Sequence, residues 1–399
     1  MRILVVCQYY YPEQFLINDI APELVSRGHK VTVLTGRPNY PQGKVYKGYE
    51  KGKHNRETKD GVEIIRCPII PRGNGIVQLM LNYFSYMVLA NKKAKQLDGA
   101  FDIVYLYQLT PILQAYPAIK YAQRNNVKVI CYCLDLAPLS GSSVASHLRI
   151  LHGLYKRFSR WAYQNCDQIA VTSKDFIDYL HEIHGIPLTK LSYLPQHASE
   201  MLLNADLKKE NSDDIIDFMF AGNIGTGARL ECLIYAIEKL RNRGLKCRMN
   251  IVGDGRSKVM LEELTKRLDL NEYVIFHGRV SMSDMKEIYK RADALVVSLR
   301  KGQITVPGKV QAYMATGKPI FGAMDGSGKK MIEEAGCGRC VDAEDVDGIC
   351  NMLQEYIEHA EIFEECGERG RDYFRRNFLL NKHVDRLEQL FYTGNINNR

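Results

Sequence analysis

Short apolar runs rich in β-branched residues alternate with helical segments along most of the chain, and this alternation restricts the possible folds more than any other feature. In the first half these segments are, in order, Ile3–Cys7, Phe15–Ser26, Lys30–Thr35, Ile103–Leu106, Leu113–Arg124, Val127–Cys133 and Gln168–Thr172. Such an order is typical of βαβ units, in which helices join parallel strands. We therefore predict an α/β fold built on parallel sheets.

A polar stretch, Asn204–Asp217, interrupts the pattern and is the best candidate for a linker. The alternation then resumes in the segments Phe218–Ala221, Leu230–Arg241, Arg248–Val252, Lys258–Leu268, Val274–His277, Ser283–Arg291, Ala294–Ser298, Lys309–Thr316 and Pro319–Gly322. Because 399 residues exceed one ordinary core, we predict two doubly wound, Rossmann-like domains, residues 1–200 and 201–369, with a ligand in the cleft between them. The pattern of Arg369–Tyr392 predicts one long terminal helix, which either caps the second domain or, within residues 370–399, crosses back to the first.

Glycines follow three successive predicted strands of the second domain. The first strand is followed by Gly222–Gly227, and the next two end at Gly253 and Gly278. Glycines between a strand and a helix N-terminus present free N–H groups and a positive dipole end, which bind phosphate. Each loop alone is equally compatible with a plain tight turn, but three at one edge favour a ligand. Backbone at Arg279 and Val280 would then lie close enough to contact a base.

The segment Ser298–Gly322 contains the most informative pattern. Thr305-Val306-Pro307-Gly308-Lys309 precedes a predicted helix, so its amides and the Lys309 ammonium are suited to a diphosphate. The helix ends in a glycine followed by a proline two residues later, as helices commonly do. We expect Lys318, within that turn, to be structural or exposed rather than catalytic.

Neither a membrane span nor a secretion signal is predicted. The apolar start MRILVVC is far shorter than a signal core, and no run approaches the roughly 18 apolar residues that a span requires. The eleven cysteines are scattered, and the single CxxC at Cys337 and Cys340 lacks a second pair of ligands. We therefore expect a cytoplasmic protein with reduced thiols and no bound metal.

The net charge of +8 is unevenly distributed. Gly141–Asn165 has helical apolar spacing with basic but no acidic side chains, and Ile76–Leu97 is a strongly apolar helix that ends in three lysines. Either both helices face the core and have a hydrated basic rim, or they rest on an anionic membrane surface, where each Lys or Arg contributes about 1 kcal/mol. Nucleic acid is not an expected partner, because no known binding motif accompanies the charge.

Several motifs resemble the GT-B glycosyltransferases of family 4. The turn MATGKP, Met314–Pro319, is similar to the small-x-Gly-x-Pro turn of their C-terminal domain. The bacterial capsule, O-antigen and colanic-acid subgroup is similar at further positions: Tyr9–Glu13 (YYYPE), Arg27–Pro41 (RGHKVTVLTGRPNYP), Gly43, Gly48-Tyr49, Asp135–Pro138 (DLAP), Phe220–Gly225 (FAGNIG) and Arg291–Leu299. The resemblance runs from residue 1 to about residue 322.

This resemblance implies transfer of a sugar, with retention of configuration and without a divalent metal or other cofactor, from a nucleotide sugar to a lipid-diphosphate-linked glycan at the inner face of the membrane. UDP is the expected nucleotide on frequency alone. Asp135 would position the acceptor hydroxyl, and Lys309, with Arg229 or Arg256, would stabilise the leaving diphosphate. The expected donor site comprises Gly222, Asn223, Ile224, Gly225, Gly253, Arg279, Val280, Thr305, Val306, Pro307, Gly308, Lys309 and Gln311. For Asp135 a turn or helix-cap role remains an alternative.

The sequence departs from the family at two positions. The family commonly has a glutamate five residues before the glycine of the turn and another eight residues earlier, where this chain has Ala312 and Ile304. Gln311 is adjacent, and its amide is able to bond a ribose hydroxyl. Two alternatives therefore stay open: a nucleotide-sugar epimerase of the same architecture and a non-catalytic partner subunit. A dehydrogenase fits less well, because no GxGxxG follows the first strand.

Overall fold

Two parallel sheets organise the protein. The computed structural model describes residues 1–73, 75–97, 99–136, 149–209, 214–281 and 283–396. Contacts divide the chain into a first unit, Met1–Pro195 with Leu380–Arg399, and a second unit, Gln196–Leu379. The predicted parallel α/β architecture is confirmed in both units. The predicted boundary at residue 200 lies a few residues after the observed division.

The first unit contains an eight-stranded sheet in the order β3-β4-β2-β1-β5-β6-β7-β8, in which only β3 and β4 pair antiparallel. Its strands are β1 (Arg2–Val6), β2 (Lys30–Gly36), β3 (Arg56–Lys59), β4 (Val62–Cys67), β5 (Ile103–Gln108), β6 (Lys128–Cys133), β7 (Gln168–Val171) and β8 (Leu191–Tyr193). Its helices are α1 (Ile17–Ser26), α2 (Ile76–Ala94), α3 (Ala115–Asn125), α4 (Arg149–Gln164), α5 (Asp175–His184) and α13 (Leu380–Thr393). The central strand β1 is apolar without alternation, because both faces of a parallel sheet are covered.

The second unit contains a six-stranded parallel sheet in the order β11-β10-β9-β12-β13-β14. Its strands are β9 (Ile216–Ala221), β10 (Cys247–Val252), β11 (Val274–Gly278), β12 (Ala294–Ser298), β13 (Ile320–Ala323) and β14 (Gly338–Val341). Its helices are α6 (Leu230–Asn242), α7 (Lys258–Arg267), α8 (Met285–Lys290), α9 (Gly308–Thr316), α10 (Gly326–Ala335), α11 (Val346–Glu358) and α12 (Cys366–Asn377). Counted within the unit, this is the 3-2-1-4-5-6 order of a dinucleotide-binding fold, whose direction reverses between β9 and β12.

The prediction of one terminal helix was wrong, because two helices occupy that stretch. Helix α12 ends before Phe378, whose backbone leaves the helical region and whose carbonyl accepts the amide of Ala198. Phe378 is fully buried in the core of the second unit. Val384 and Leu387 of α13 are buried in the core of the first unit instead. The helix therefore breaks where the chain passes from one core to the other.

Helix α4 begins at Arg149, and the earlier part of its predicted span, from Gly141 to Leu148, lies outside the described residues. No helix within the described ranges is long and apolar enough to cross a bilayer.

Candidate functional site

The loops that follow β9 and β12 lie side by side at the carboxyl edge of the second sheet. The amide of Arg300 donates to the carbonyl of Gly227 at 2.9 Å, and the Ser298 hydroxyl lies 3.5 Å from the carbonyl oxygen of Arg229. The strand order of the sheet reverses between these two strands. In open α/β sheets ligands bind at this position.

The three predicted glycine ends do meet at this edge. The Gly222 amide donates to the Val252 carbonyl at 2.9 Å, and the Gly253 amide donates to the Gly278 carbonyl at 2.8 Å. Gly253 has a φ of +134°, and a Cβ there would lie 1.9 Å from the carbonyl oxygen of Gly222. No other residue permits these two loops to approach so closely.

These contacts use some of the amides that the sequence suggested for phosphate binding. Gly222 donates to Val252 and Ile224 donates to the carbonyl of Asp254 at 2.9 Å. Among the described residues, the amides of Asn223 and Gly225 have no hydrogen-bond acceptor. The loop after β9 can therefore offer alternate amides, not a continuous row.

Lys309 places a positive charge directly over this loop. Its ammonium lies 3.7 Å from the ring centre of Phe220, and a methyl group at Gly222 would lie 2.9 Å from Nζ. Burial lowers the pKa of Lys309 to about 8. Within the part of the chain that the structure describes, no carboxylate lies within ion-pair distance of this ammonium. The site thus has a partly dehydrated cation without a counter-charge, which is an arrangement that favours an anionic ligand.

Helix α9 adds a second anion-attracting group at the same place. Pro307 is the N-cap residue of the helix; its backbone is extended and it makes no side-chain capping hydrogen bond. In the described structure the Gly308 and Lys309 amides have no acceptor, as expected for the first residues of a helix. These amides and the helix dipole present partial positive charge beside the Lys309 ammonium.

The other residues predicted for the nucleotide-sugar site differ in whether their side chains are free to contact a ligand. The Arg229 guanidinium forms ion pairs with Glu231 at 3.0 Å and Glu344 at 3.2 Å, so its charge is already compensated. Arg256 and Arg279 are exposed. Gln311 is buried, and its amide nitrogen donates to the Gln196 carbonyl at 3.2 Å. The partly buried residues of this group are Val280, Ile304, Thr305, Val306 and Ala312.

Two acidic side chains hold the loop after β12 in place, and sequence reasoning missed both. Glu344 accepts the Lys301 amide at 3.0 Å, and Asp325 accepts the Gly302 amide at 3.3 Å. Asp325 lies two residues after the end of β13, a position that signals a role at the carboxyl edge. Glu344 has no comparable signal, because it lies far from Lys301 in sequence.

Comparison with known families decides the identity of this arrangement. The family described as glycosyl transferases group 1 matches residues 204–373, and the family described as glycosyltransferase family 4 matches residues 15–196. Together the matches include every strand of the two sheets except β1. The chain belongs to the family 4 glycosyltransferases.

Relatives of this glycosyltransferase match most of its length. A protein of Escherichia coli (strain K12) named as a colanic acid biosynthesis glycosyl transferase, WcaI, is 24% identical over 93% of this chain and 97% of its own. Sucrose-phosphate synthase from Thermosynechococcus elongatus superposes with a TM-score of 0.75 at 15% identity, covering 98% of each chain. Anabaena HepE, crystallised with UDP, superposes with a TM-score of 0.72 at 13% identity, covering 98% of this chain and 99% of its own, and a further HepE structure contains UDP-glucose. The glycosyltransferase thus has the GT-B fold.

The remaining predicted residue, Asp135, lies in the first unit of the glycosyltransferase, at the end of β6. Its Oδ2 accepts the Thr110 hydroxyl at 2.7 Å, and its carbonyl accepts the Gln108 side-chain amide at 3.0 Å. Burial raises the pKa of Asp135 above its usual range. The last residues of the predicted motif, Ala137 and Pro138, lie outside the described residues. A role for Asp135 toward an acceptor stays a prediction.

Proposed function

We propose that this glycosyltransferase transfers a sugar from a UDP-sugar, with retention of configuration, to a lipid-linked glycan in the synthesis of a bacterial surface polysaccharide. The observation that carries the donor part is the uncompensated Lys309 ammonium beside the glycine loop and the N-terminus of α9. The name of the E. coli relative supports a surface polysaccharide, and the UDP bound to HepE supports the nucleotide.

The proposed roles of these groups follow from the charge that develops on the leaving diphosphate during sugar transfer. As the bond between sugar and diphosphate breaks, negative charge grows on the leaving oxygens. Lys309 and the free amides of Asn223, Gly225 and Gly308 would bind this charge more strongly in the transition state than in the ground state. Asp135, held by the Thr110 hydroxyl, would orient the attacking hydroxyl of the acceptor.

We further propose that the glycosyltransferase works at the inner face of the cell membrane. Helix α2 exposes a row of apolar side chains, of which Ile76 and Val77 are 78% and 69% exposed. It then ends in Lys92 and Lys93 and has no acidic residue in its first turn. An apolar row followed by lysines matches the chain region and the anionic headgroups of a membrane surface.

A donor screen tests the enzymatic proposal. The purified protein is incubated with UDP-, GDP- and ADP-sugars, and the thermal unfolding midpoint is recorded for each. A UDP-sugar is expected to raise the midpoint, and NMR of the products is expected to show hydrolysis or transfer with retained anomeric configuration. A midpoint raised by no nucleotide sugar would overturn the proposal. Conversion to an epimeric sugar nucleotide without acceptor would establish the epimerase instead.

A further inference from the structure

Three aromatic rings meet at the carboxyl edge of the first sheet. Tyr9 lies 5.4 Å from Phe15 and 5.5 Å from Tyr40, and Phe15 lies 5.4 Å from Tyr40, all measured between ring centres. Strands β1 and β2 are parallel neighbours, so the loops that follow them bring these rings together. Tyr40 remains 36% exposed. We call Tyr9, Phe15 and Tyr40 the aromatic cluster; its open face is suited to the C–H edges of a sugar ring.

Arg72 is fixed against this aromatic cluster. Its guanidinium carbon lies 5.2 Å from the ring centre of Tyr40, and Nη1 donates to the Tyr9 hydroxyl at 3.2 Å. The Arg72 amide donates to the Asn39 side chain at 2.9 Å. Asn39 is itself held by a bond from its amide nitrogen to the Arg37 carbonyl at 3.0 Å. The guanidinium is therefore oriented before any ligand binds.

The charge of Arg72 is not neutralised. Over the described residues, no carboxylate lies within ion-pair distance of Arg72, and its Nε and Nη2 donate to no protein acceptor. The adjacent edge of an arginine presents two donors that match two oxygens of one phosphate. The carboxyl group of Glu13 forms no ion pair with Arg72; its Oε1 accepts the amides of both Asn39 and Tyr40 at 2.7 Å.

Helix α2 joins this position to an exposed apolar row. Tyr83, on α2, is buried, and its ring centre lies 6.0 Å from the Arg72 guanidinium carbon. The other side of the same helix exposes the apolar side chains Ile76, Val77, Met80, Leu81, Phe84 and Val88. We call these six residues the α2 row. Arg72 therefore lies against the buried side of α2, and the exposed side of the same helix carries the α2 row.

We propose that Arg72 binds a phosphate of an amphiphilic acceptor, that the aromatic cluster packs against its first sugar, and that the α2 row holds its lipid chain. This inference rests on the proposed function, since it names the acceptor subsite of the same enzyme. The chemical class it requires is a prenyl diphosphate, with or without a sugar attached. A free phosphate would engage Arg72 but leave the α2 row unused.

Three probes separate the contribution of the phosphate from that of the lipid chain: farnesyl diphosphate has both, farnesol has only the chain, and inorganic diphosphate has only the phosphates. Titration of the full chain by calorimetry is expected to show that farnesyl diphosphate binds at least ten times more tightly than either other probe. Arg72→Gln is expected to weaken farnesyl diphosphate binding at least tenfold, whereas Arg124→Gln, at an exposed arginine of α3, leaves it unchanged. Phe84→Ser, at an exposed position, is expected to weaken farnesyl diphosphate but not inorganic diphosphate.

Two results would overturn the inference. One is farnesyl diphosphate binding equally well to Arg72→Gln and to the unaltered protein. The other is its loss in Lys309→Met, which would assign the prenyl diphosphate to the donor loop. The UDP-induced thermal shift is measured in every variant. A shift kept in Arg72→Gln shows that the variant is folded, and its absence from the unaltered protein would count against the proposed function without affecting the farnesyl diphosphate result.

Discussion

The ammonium of Lys309 lies over the Phe220 ring, next to Gly222, with its pKa lowered to about 8 by burial. Lys309→Met keeps most of the apolar part of the side chain but removes the cation, so it is expected to weaken UDP binding at least tenfold. Calorimetric titration with UDP measures the effect. Lys266→Met, at an exposed lysine of α7, is the matched control and is expected to bind UDP normally. Equal affinities in the two variants would show that Lys309 does not contact the donor.

The same lowered pKa predicts a pH dependence of donor binding. Protonated Lys309 attracts a diphosphate and neutral Lys309 does not, so UDP affinity is expected to be full below pH 8 and to fall as the pH rises through about 8. The UDP affinity is expected to fall by up to tenfold per pH unit until the pH reaches the pKa that Lys309 has in the complex with UDP. Titrations between pH 6.5 and 9.5 check this. A profile that is just as steep in Lys309→Met would assign the titration to another group.

Gly253 is expected to be irreplaceable for a steric reason. An alanine there would place Cβ 1.9 Å from the Gly222 carbonyl oxygen, so Gly253→Ala must separate the two loops. We expect a loss of about 2 kcal/mol or more in the free energy of unfolding, typical of backbone strain. In Gly308→Ala the nearest atom to the new Cβ lies 4.0 Å away, so the free energy of unfolding should be unchanged. Urea unfolding of both variants measures the difference, and equal stabilities would contradict the geometry.

Glu13 links stability to pH in the first unit. Burial raises its pKa to about 7, so between pH 4.5 and 7 the folded state holds this proton more tightly than the unfolded state does. The contribution of Glu13 to the free energy of unfolding is therefore full at low pH and is lost as the pH rises toward 7, by at most about 3 kcal/mol. Glu13→Gln is expected to flatten this part of the stability profile. Glu182→Gln, at an exposed site on α5, should keep the decrease in the free energy of unfolding over this pH range.

At the scale of single residues, the sequence predicted the features that depend on neighbouring positions in the chain. Gly222 and Gly253 directly follow β9 and β10, and Gly278 ends β11, so their meeting follows from the parallel sheet alone. The ion pair of Arg229 with Glu344 joins residues more than 100 positions apart, and no local pattern signals it. Arg72 was missed for a similar reason: its proposed role depends on its having no ion-pair partner among the described residues, and only the folded structure reveals this.

At the scale of elements, α2 shows why hydrophobic periodicity left two interpretations open. One side of the helix buries Tyr83, Tyr86 and Ala90, and the other side carries the exposed α2 row. In a helix that is apolar on both sides, no single polar face indicates which side is buried. The buried side agrees with a core-facing helix, and the exposed α2 row leaves contact with a membrane surface as a prediction.

Membrane attachment through α2 is testable with vesicles. Val77→Gln combined with Phe84→Gln is expected to reduce co-sedimentation with phosphatidylglycerol vesicles at least tenfold, because each side chain contributes up to about 1.5–3 kcal/mol when it leaves water. Binding of the unaltered protein is also expected to weaken as salt is raised, since the lysines contribute through charge. The control carries Val259→Gln and Met260→Gln, two exposed apolar residues of α7. If it binds as poorly as the α2 variant, attachment is not specific to α2.

At the scale of the whole molecule, alternation of strands and helices was sufficient to predict two Rossmann-like sheets, but not their strand orders. The antiparallel edge strand β3, RETK, is short and polar and has no clear strand pattern. The terminal segment was predicted as one helix because Arg369–Tyr392 keeps helical spacing throughout. Its division at Phe378 reflects which core each side chain enters, and that is a tertiary effect.

This division predicts different consequences of truncation for the two units. Helix α13 buries Val384, Leu387, Leu390 and Phe391 against the first unit. At about 1.5–3 kcal/mol each, their burial stabilises that unit by roughly 6–12 kcal/mol, as much as the entire stability of a typical domain. The salt bridges of Arg27 with Asp385 and Glu388 are also lost with the helix.

A chain that ends at Leu379 is therefore expected to lose the fold of its first unit and to keep that of its second. Hydrogen–deuterium exchange should show rapid exchange in β1 and β5, which are central in the first sheet, and protection as in the full chain in β9 and β12. A chain that ends at Ile396 keeps α13 whole and is expected to protect both sheets. Protection of β1 and β5 in the shorter chain would mean that the first unit folds without α13, and that its packing on the sheet adds stability but is not required for the fold.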